Sequence, residues 1–349
     1  MDFLIACRFV MGVGLGALLV TLFAGFTEYM PGRNRGTWSS RVSFIGNWSY
    51  PLCSLIAMGL TPLISAEWNW RVQLLIPAIL SLIATALAWR YFPESPRWLE
   101  SRGRYKEAEK VMRSIEEGVI HQTGKPLPPV VIADDGKAPQ AVPYSALLTG
   151  VLLKRVILGS CVLIAMNVVQ YTLINWLPTI FMTQGINLKD SIVLNTMSMF
   201  GAPFGIFIAM LVMDKIPRKT MGVGLLILIA VLGYIYSLQT SMLLITLIGF
   251  FLITFVYMYV CYASAVYVPE IWPTEAKLRG SGLANAVGRI SGIAAPYAVA
   301  VLLSSYGVTG VFILLGAVSI IVAIAIATIG IETKGVSVES LSIDAVVNK

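Results

Sequence analysis

Polar and aromatic side chains recur at spacings of three to five residues inside one long apolar stretch, and they line one side of a helix: Asn167, Gln170, Tyr171, Asn175 and Trp176. Similar side chains lie within other apolar stretches: Asn47, Trp48, Tyr259 and Asn285. Amides and phenols exchange hydrogen bonds and indoles stack on flat groups, so together they favour binding of a polyol or a small ring compound. For each residue alone, a hydrogen bond between helices is the alternative.

Two arginines also interrupt the apolar stretches, Arg8 and Arg289. An arginine surrounded by lipid needs a carboxylate, a carbonyl group or a water-lined pocket. Arg289 follows Asn285 by four residues and shares its helical face, which fits either a contact with a substrate carboxylate or a structural pair at the helix end. The sequence shows no Gly-x-x-x-x-Gly-Lys phosphate loop, metal-ligand cluster or nucleophile constellation, so we expect no cofactor, no metal and no enzymatic activity.

Charged corners break the apolar stretches in a repeated way. Twice, one stretch ends in Glu-x-x-Pro and the next begins with Arg-Gly, and a third corner carries an Asp and an Arg. The charged residues of these corners are candidate partners in ion pairs: Glu28 with Arg35, Asp214 with Arg218, and Glu270 with Arg279. A repeated, proline-broken corner indicates a duplicated helical bundle, which is the usual plan of secondary transporters.

Composition places these elements in a membrane. Hydrophobic residues make up 57% of the chain and charged residues only 12%, which leaves too little polar surface for a water-soluble globule. In hydrocarbon the backbone must satisfy its own hydrogen bonds, and the long continuous apolar runs favour helices over a barrel. We predict an all-α, polytopic membrane protein with nine spans: 3–26, 42–64, 72–92, 156–182, 191–213, 221–239, 242–268, 282–304 and 308–330.

The distribution of cations predicts the orientation of these spans. Of the 25 Lys and Arg residues, 21 fall in loops on one side, which the positive-inside rule assigns to the cytoplasm together with the C-terminus. The net charge of +7 therefore reflects topology, and we do not expect nucleic-acid binding. The predicted domains are a partial bundle of three spans (1–92), a cytoplasmic linker with an amphipathic helix (93–154), a six-helix bundle (155–330) and a cytoplasmic tail (331–349).

Three short motifs add a resemblance to a known family. They are PESPRWL from Pro93 to Leu99, RFVMGVG from Arg8 to Gly14 and DKIPRK from Asp214 to Lys219. Together with the two Glu-x-x-Pro corners, they resemble the sugar porters and related metabolite:proton symporters of the major facilitator superfamily. The resemblance covers the whole chain from the family's fourth span onward. It is nearest to enterobacterial inner-membrane metabolite transport proteins, with the first three spans absent, and Pro217 departs from the family's usual Gly.

The resemblance implies a major facilitator fold and secondary active transport of a small polar metabolite, such as a sugar, a polyol or a related compound. In the full-length form it implies coupling to protons, with Arg8 partnering a first-span carboxylate and the charged corners latching one state of the alternating-access cycle. We therefore expect a monomeric, multi-pass protein of the cell inner membrane. The alternatives are a carrier of small organic acid anions that uses Arg289, a channel, and a transporter inactivated by loss of its first three spans.

Overall fold

The chain folds as a succession of helices. The computed structural model describes residues 2–28, 35–124, 126–127, 143–183, 185–213, 215–239, 241–273 and 276–333, and within these ranges it contains no strand. The helices are α1 (Asp2–Glu28), α2 (Arg35–Asn47), α3 (Ser49–Leu60), α4 (Ala66–Tyr91), α5 (Pro96–Ser101), α6 (Tyr105–Thr123), α7 (Tyr144–Leu147), α8 (Gly150–Thr183), α9 (Leu188–Met199), α10 (Gly201–Val212), α11 (Arg218–Ser237), α12 (Met242–Val260), α13 (Val268–Glu270) and α14 (Lys277–Ile329). A π-helical segment, Cys261–Tyr267, joins α12 to α13.

Six stretches of the described residues are long and apolar enough to cross a membrane: Glu67–Tyr91, Gly150–Thr183, Leu188–Val212, Arg218–Ser237, Met242–Glu270 and Arg279–Ile329. The last has 51 residues, or about 77 Å of α-helix, which is more than twice the thickness of the hydrocarbon core. Gly307 interrupts it with φ +65° and ψ −162°, a conformation that glycine adopts readily. This stretch therefore contains two predicted spans, and the six stretches together contain seven of the nine.

The other two predicted spans lie outside these six stretches. Span 3–26 lies within α1, which is helical over 27 residues. Span 42–64 is divided at Trp48 between α2 and α3, which have 13 and 12 residues, so neither helix alone has the length to cross. The count of nine spans remains a prediction.

Two compact units divide the chain, one formed by Met1–Trp38 with Trp70–Gly136 and the other by Ser39–Asn69 with Lys137–Lys349. Residues 39–69, predicted within the first bundle, group with the second unit because α3 packs against α9. In the first unit α5 packs against α6 through the buried side chains of Leu99 and Ala108. Thus the predicted amphipathic helix is present as α6, and its packed face includes Ala108. The predicted boundaries at 92, 154 and 330 remain predictions.

The second unit contains the hydrophobic core, in which α8 packs along α14, α11 along α14 and α10 along α12. The Gly-x-x-x-Gly sequence of α10, Gly201 to Gly205, lies at the contact with α12. A Cβ atom at Gly201 would collide with the carbonyl oxygen of Phe250, and one at Gly205 with that of Thr254. Small residues therefore bring two helix backbones together here, as they commonly do between helices in membranes.

Candidate functional site

Glycines on α14 set the distance between α14 and α8. A Cβ atom at Gly292 would lie 3.2 Å from the ring of Tyr171, and one at Gly288 would lie 2.8 Å from the Cβ atom of Leu163. Because hydrogen is the only side chain at these two positions, α14 approaches α8 closely. This approach places Arg289, which lies between the two glycines, beside Tyr171.

Arg289 donates a hydrogen bond from Nη1 to the hydroxyl oxygen of Tyr171 at 2.7 Å. It lies twelve residues after Lys277, which is about 18 Å from the start of α14. The part of α14 before Gly307 is about 45 Å long, so Arg289 lies well inside the span. No carboxylate of the described residues forms a salt bridge with it. The guanidinium is exposed, so a ligand has access to it.

Tyr257 of α12 extends this group of polar side chains toward α3. Its ring packs edge-on against that of Tyr50, with centroids 5.1 Å apart. Its hydroxyl is fully buried and lies beside the polar side chains of Tyr50, Gln170 and Tyr171. Side chains from α3, α8, α12 and α14 thus converge at one place, here called the polar cluster: Tyr50, Gln170, Tyr171, Tyr257 and Arg289.

The structure brings Gln170, Tyr171 and Arg289 of the predicted binding residues into the polar cluster, together with Tyr50 and Tyr257, which also lie within predicted spans. Three predicted amides instead donate to the carbonyl group four residues earlier in their own helix: Asn47 to Ser43 at 2.7 Å, Asn167 to Leu163 at 2.7 Å and Asn285 to Ser281 at 2.9 Å. Asn175 is exposed and Trp176 half-buried farther along α8. Trp48 packs edge-on against Phe44 and Phe200. Their roles in binding remain predictions.

Tyr259, also predicted to bind substrate, is 1% exposed and donates a hydrogen bond to the carbonyl oxygen of Val162 at 3.1 Å. This contact fastens α12 to α8. We expect Tyr259→Phe to lower the free energy of unfolding by about 1 kcal/mol, since one buried hydrogen bond is lost, and to leave the KM for transport unchanged. Thermal unfolding and uptake kinetics of the same preparation test this, and a raised KM with unchanged stability would assign Tyr259 to the substrate instead.

A second polar site lies where α11 begins and α13 ends. The Arg218 side chain is buried and forms two hydrogen bonds with the carboxylate of Glu270, from Nε to Oε2 at 3.0 Å and from Nη2 to Oε1 at 3.2 Å. Its Nη1 also donates to the carbonyl oxygen of Met213. The Thr333 hydroxyl donates to Oε2 of Glu270 at 2.6 Å. Arg218, Glu270 and Thr333, with Glu332, are here called the ion-pair cluster.

The segment after α14 completes the ion-pair cluster. The Glu332 carboxylate accepts hydrogen bonds from the backbone N–H groups of Arg218 and Lys219 at 2.8 and 3.2 Å, so it caps the N-terminus of α11, where negative charge is favoured by the helix dipole. The Tyr267 hydroxyl bonds both the N–H and the carbonyl oxygen of Ile331. Sequence reasoning missed Glu332, Thr333 and Tyr267. The available signal was the polar pair Glu332 and Thr333, which follows the last apolar stretch.

The predicted latch residues are therefore paired differently from the expectation. Glu270 contacts Arg218 and Thr333 rather than Arg279, because the chain folds the start of α11 against the end of α13. The Arg279 guanidinium lies over the ring of Tyr144 at 5.2 Å. Asp214 lies outside the described residues, as do the side chains of Glu28 and Arg35, at the end of α1 and the start of α2. Arg8 is exposed on α1, and its predicted role in proton coupling remains a prediction.

Arg155 is a buried cation that sequence reasoning did not single out. It is 3% exposed near the start of α8 and donates from Nη1 to the carbonyl oxygen of Ile271 at 2.8 Å. That carbonyl group directly follows α13, and a cation there is stabilised by the negative end of the helix dipole. Arg155 thus ties α8 to the end of α13, beside the ion-pair cluster. Among the described residues, no group of His, Cys, Asp and Glu is arranged to hold a metal ion.

The helices are apolar and long enough to cross a membrane. They pack through glycines around polar side chains that lie well inside the spans. This arrangement defines a polytopic helical transporter. The chain belongs to the Major Facilitator Superfamily, whose family model matches residues 1–296. The all-α fold predicted from the sequence is confirmed. Its fold and relatives are those of transporters and not of enzymes.

Proteins of similar sequence or fold are also named as transporters. YdjK of Escherichia coli (strain K12), whose name refers to metabolite transport, is 99% identical over 349 residues, which are 100% of this chain and 76% of that protein. YdjE of the same organism, an inner membrane metabolite transport protein, is 44% identical over 98% of this chain and 75% of its own. The xylose transporter XylE from E. coli, in a partially occluded inward-open conformation, matches with a TM-score of 0.68 at 19% identity, covering 93% of this chain and 70% of XylE. This structural match shows the fold alone.

Proposed function

We propose that this metabolite transporter is a secondary active carrier that moves a small polar solute through the polar cluster, with alternating access between two helical bundles. The observation that carries the proposal is the convergence of phenol, amide and guanidinium groups from four helices well inside the spans. Polar groups at this depth are costly unless they line a path for a solute or bond one another. The exposed guanidinium of Arg289, beside Tyr171, favours a path for a solute.

The solute of this proposal is a sugar, a polyol or a related compound, and its transport is coupled to protons. Hydroxyl groups match the donors and acceptors of the half-buried Gln170 and Tyr171. The proton:xylose symporter XylE, solved with 6-bromo-6-deoxy-D-glucose bound, supports this assignment through its shared fold. We place the protein in the inner membrane as a monomer, with its C-terminus in the cytoplasm and the ion-pair cluster as the latch of the cytoplasmic side.

A second candidate is the transport of a small organic acid anion. Arg289 favours it, because this cation has a neutral phenol as its hydrogen-bond partner and no carboxylate of the described residues in a salt bridge. A channel is the alternative of another class, and it differs from a carrier in showing no exchange of solute across the membrane.

Proton-driven uptake by the purified full chain in proteoliposomes tests the proposal, with labelled sugars, polyols and acids as probes. We expect an inward proton gradient to drive uptake that a protonophore abolishes. For the transported probe, Gln170→Leu is expected to raise KM about tenfold, since a hydrogen bond to the solute is lost. Gln239→Leu, at the end of α11, is the matched control and is expected to leave KM unchanged. Uptake independent of the gradient would rule out proton coupling. Equal KM values in both variants would rule out the polar cluster as the binding site of the solute.

A further inference from the structure

We infer that one face of α4 binds phospholipids of both leaflets. Arg71 and Arg90 contact the headgroup phosphates, and the aliphatic side chains between them lie along the acyl chains. The inference concerns the protein's contact with the bilayer and does not depend on the solute that is carried. It combines the exposure of α4, the pattern of side chains along one face and the distance between the two arginines.

The second half of α4 is exposed on all sides in the described part of the chain. Every residue from Pro77 to Tyr91 is exposed, and the Trp89 side chain reaches 90%. The stretch from 72 to 88 includes no charged residue. Within it, the Thr85 hydroxyl donates to a carbonyl oxygen of its own helix, that of Ser81, at 2.8 Å. Such a surface suits hydrocarbon, because it is apolar and its hydrogen bonds are made inside the helix.

One face of α4 carries large apolar side chains with a cation near each end. The spacings between them are four, four, three, seven and one residues, which keep all six on one side of a helix. These exposed residues are here called the lipid stripe: Arg71, Leu75, Ile79, Leu82, Trp89 and Arg90. A phospholipid combines apolar acyl chains with a negative phosphate, so the lipid stripe complements it in both respects. Another apolar helix would complement only the part between the two arginines.

The distance between the two arginines agrees with the thickness of a bilayer. Arg90 follows Arg71 by 19 residues, about 29 Å along the helix, and the hydrocarbon core is about 30 Å thick. Each guanidinium lies over the aromatic ring next to it in the chain. The Cζ atom of Arg71 is 4.5 Å from the ring centroid of Trp70, and that of Arg90 is 5.9 Å from the ring centroid of Tyr91.

These aromatic rings indicate the depth of the two arginines. Aromatic side chains gather where hydrocarbon meets the headgroups, and arginines at that level extend toward the phosphates. The two ends of the lipid stripe therefore lie at the headgroups of opposite leaflets, and the phosphates there meet a guanidinium at each end.

Added lipid tests the phosphate contacts on the purified full chain in maltoside detergent. Dioleoylphosphatidylglycerol and dioleoylglycerol form a matched pair, since they share their acyl chains and only the first has a phosphate. We measure the rise in melting temperature and the lipid concentration that half-saturates it. We expect the phospholipid to stabilise the protein at a concentration about fivefold or more below that of dioleoylglycerol.

Variants assign this difference to the lipid stripe. Arg71→Gln with Arg90→Gln is expected to raise the half-saturating concentration of the phospholipid about fivefold, because each bound lipid loses one cation. Arg71→Lys with Arg90→Lys keeps both charges and is expected to retain most of the affinity. Arg113→Gln, which removes an exposed arginine of α6, is the control and is expected to leave the concentration unchanged.

Bilayer thickness tests the distance between the arginines. Nanodiscs of dimyristoleoyl-, dioleoyl- and dierucoylphosphatidylcholine provide a thin, an intermediate and a thick hydrocarbon core. We expect the melting temperature to be highest in the intermediate bilayer, since only there do both ends of the lipid stripe reach the headgroups without tilting or exposing apolar surface.

The contrary outcomes are distinct. No stabilisation by the phospholipid, equal stabilisation by dioleoylglycerol, or unchanged affinity in the double Gln variant overturns the phosphate contacts. A melting temperature that is equal in the three bilayers, or highest in the thinnest or the thickest, overturns the span of the lipid stripe across both leaflets. A dimer in detergent that Leu82→Trp dissociates would assign the lipid stripe to a second copy of the chain and overturn the inference.

Discussion

Gly205→Val is expected to lower the free energy of unfolding by about 3 kcal/mol or more, because the added side chain has no room between α10 and α12. Even a Cβ atom at this position would overlap the backbone carbonyl group of Thr254, which cannot rotate away as a side chain does. The helices must separate, and the contacts around them in the core of the second unit are lost. Thermal unfolding of the purified protein in detergent measures the effect, and Gly205→Ala provides a milder variant if the Val variant fails to fold.

Gly224→Val is the matched control for this prediction. Gly224 is exposed on α11, also inside a predicted span, and a Cβ atom there would meet nothing within 4 Å. We expect its stability to stay within about 0.5 kcal/mol of the unmodified protein. Equal losses of stability in the two variants would show that valine destabilises these helices at any glycine position. The close approach of α10 to α12 would then not be the cause.

Glu270→Gln is expected to lower stability by about 2–3 kcal/mol, because it removes the charge of the carboxylate that binds the buried guanidinium of Arg218 through two hydrogen bonds. Glutamine keeps the size of the side chain and one acceptor oxygen, so the change isolates the charge. The variant Arg218→Met with Glu270→Gln is expected to be less destabilised than the sum of the two single variants, since both changes remove the same ion pair. Transport by Glu270→Gln is expected to fall, since the ion pair no longer holds the start of α11 to the end of α13.

An exposed ion pair of the same geometry serves as the control. Arg104 binds Glu107 through Nε at 2.9 Å and Nη2 at 2.6 Å, and both side chains are about half exposed. The Arg104 guanidinium lowers the pKa of the Glu107 carboxyl from its usual value, chiefly through their hydrogen bond. Because water solvates both charges, we expect Glu107→Gln to leave stability nearly unchanged. A loss equal to that of Glu270→Gln would contradict the role assigned to burial.

Sequence reasoning predicted the helices well, because apolar runs of about 20 residues are a strong signal in a membrane protein. It did not predict the division of span 42–64 at Trp48 or the π-helical segment Cys261–Tyr267, since both depend on packing between helices. Hydropathy separates spans, but it does not report where a continuous helix changes its hydrogen-bond pattern.

The candidate site was predictable only in part for a related reason. Gln170, Tyr171 and Arg289 were found because polar groups within apolar runs are conspicuous. Three-dimensional packing decides which of these groups meet, and it directs Tyr259 to the carbonyl group of Val162 and the amide of Asn167 to its own helix. Glu270 likewise pairs with Arg218, 52 residues earlier in the chain, and no local spacing indicates that partner.

Counterflow in proteoliposomes that contain the full chain tests the claim of a carrier most directly. Vesicles are loaded with unlabelled D-glucuronate or D-glucose, and entry of the same labelled compound is followed without a proton gradient. We predict, for at least one compound, that loading accelerates entry and that the rate saturates with external concentration. Entry that rises in proportion to the gradient and ignores the internal solute would indicate a channel. Entry equal to that of protein-free vesicles for both compounds would contradict transport of either probe by this chain.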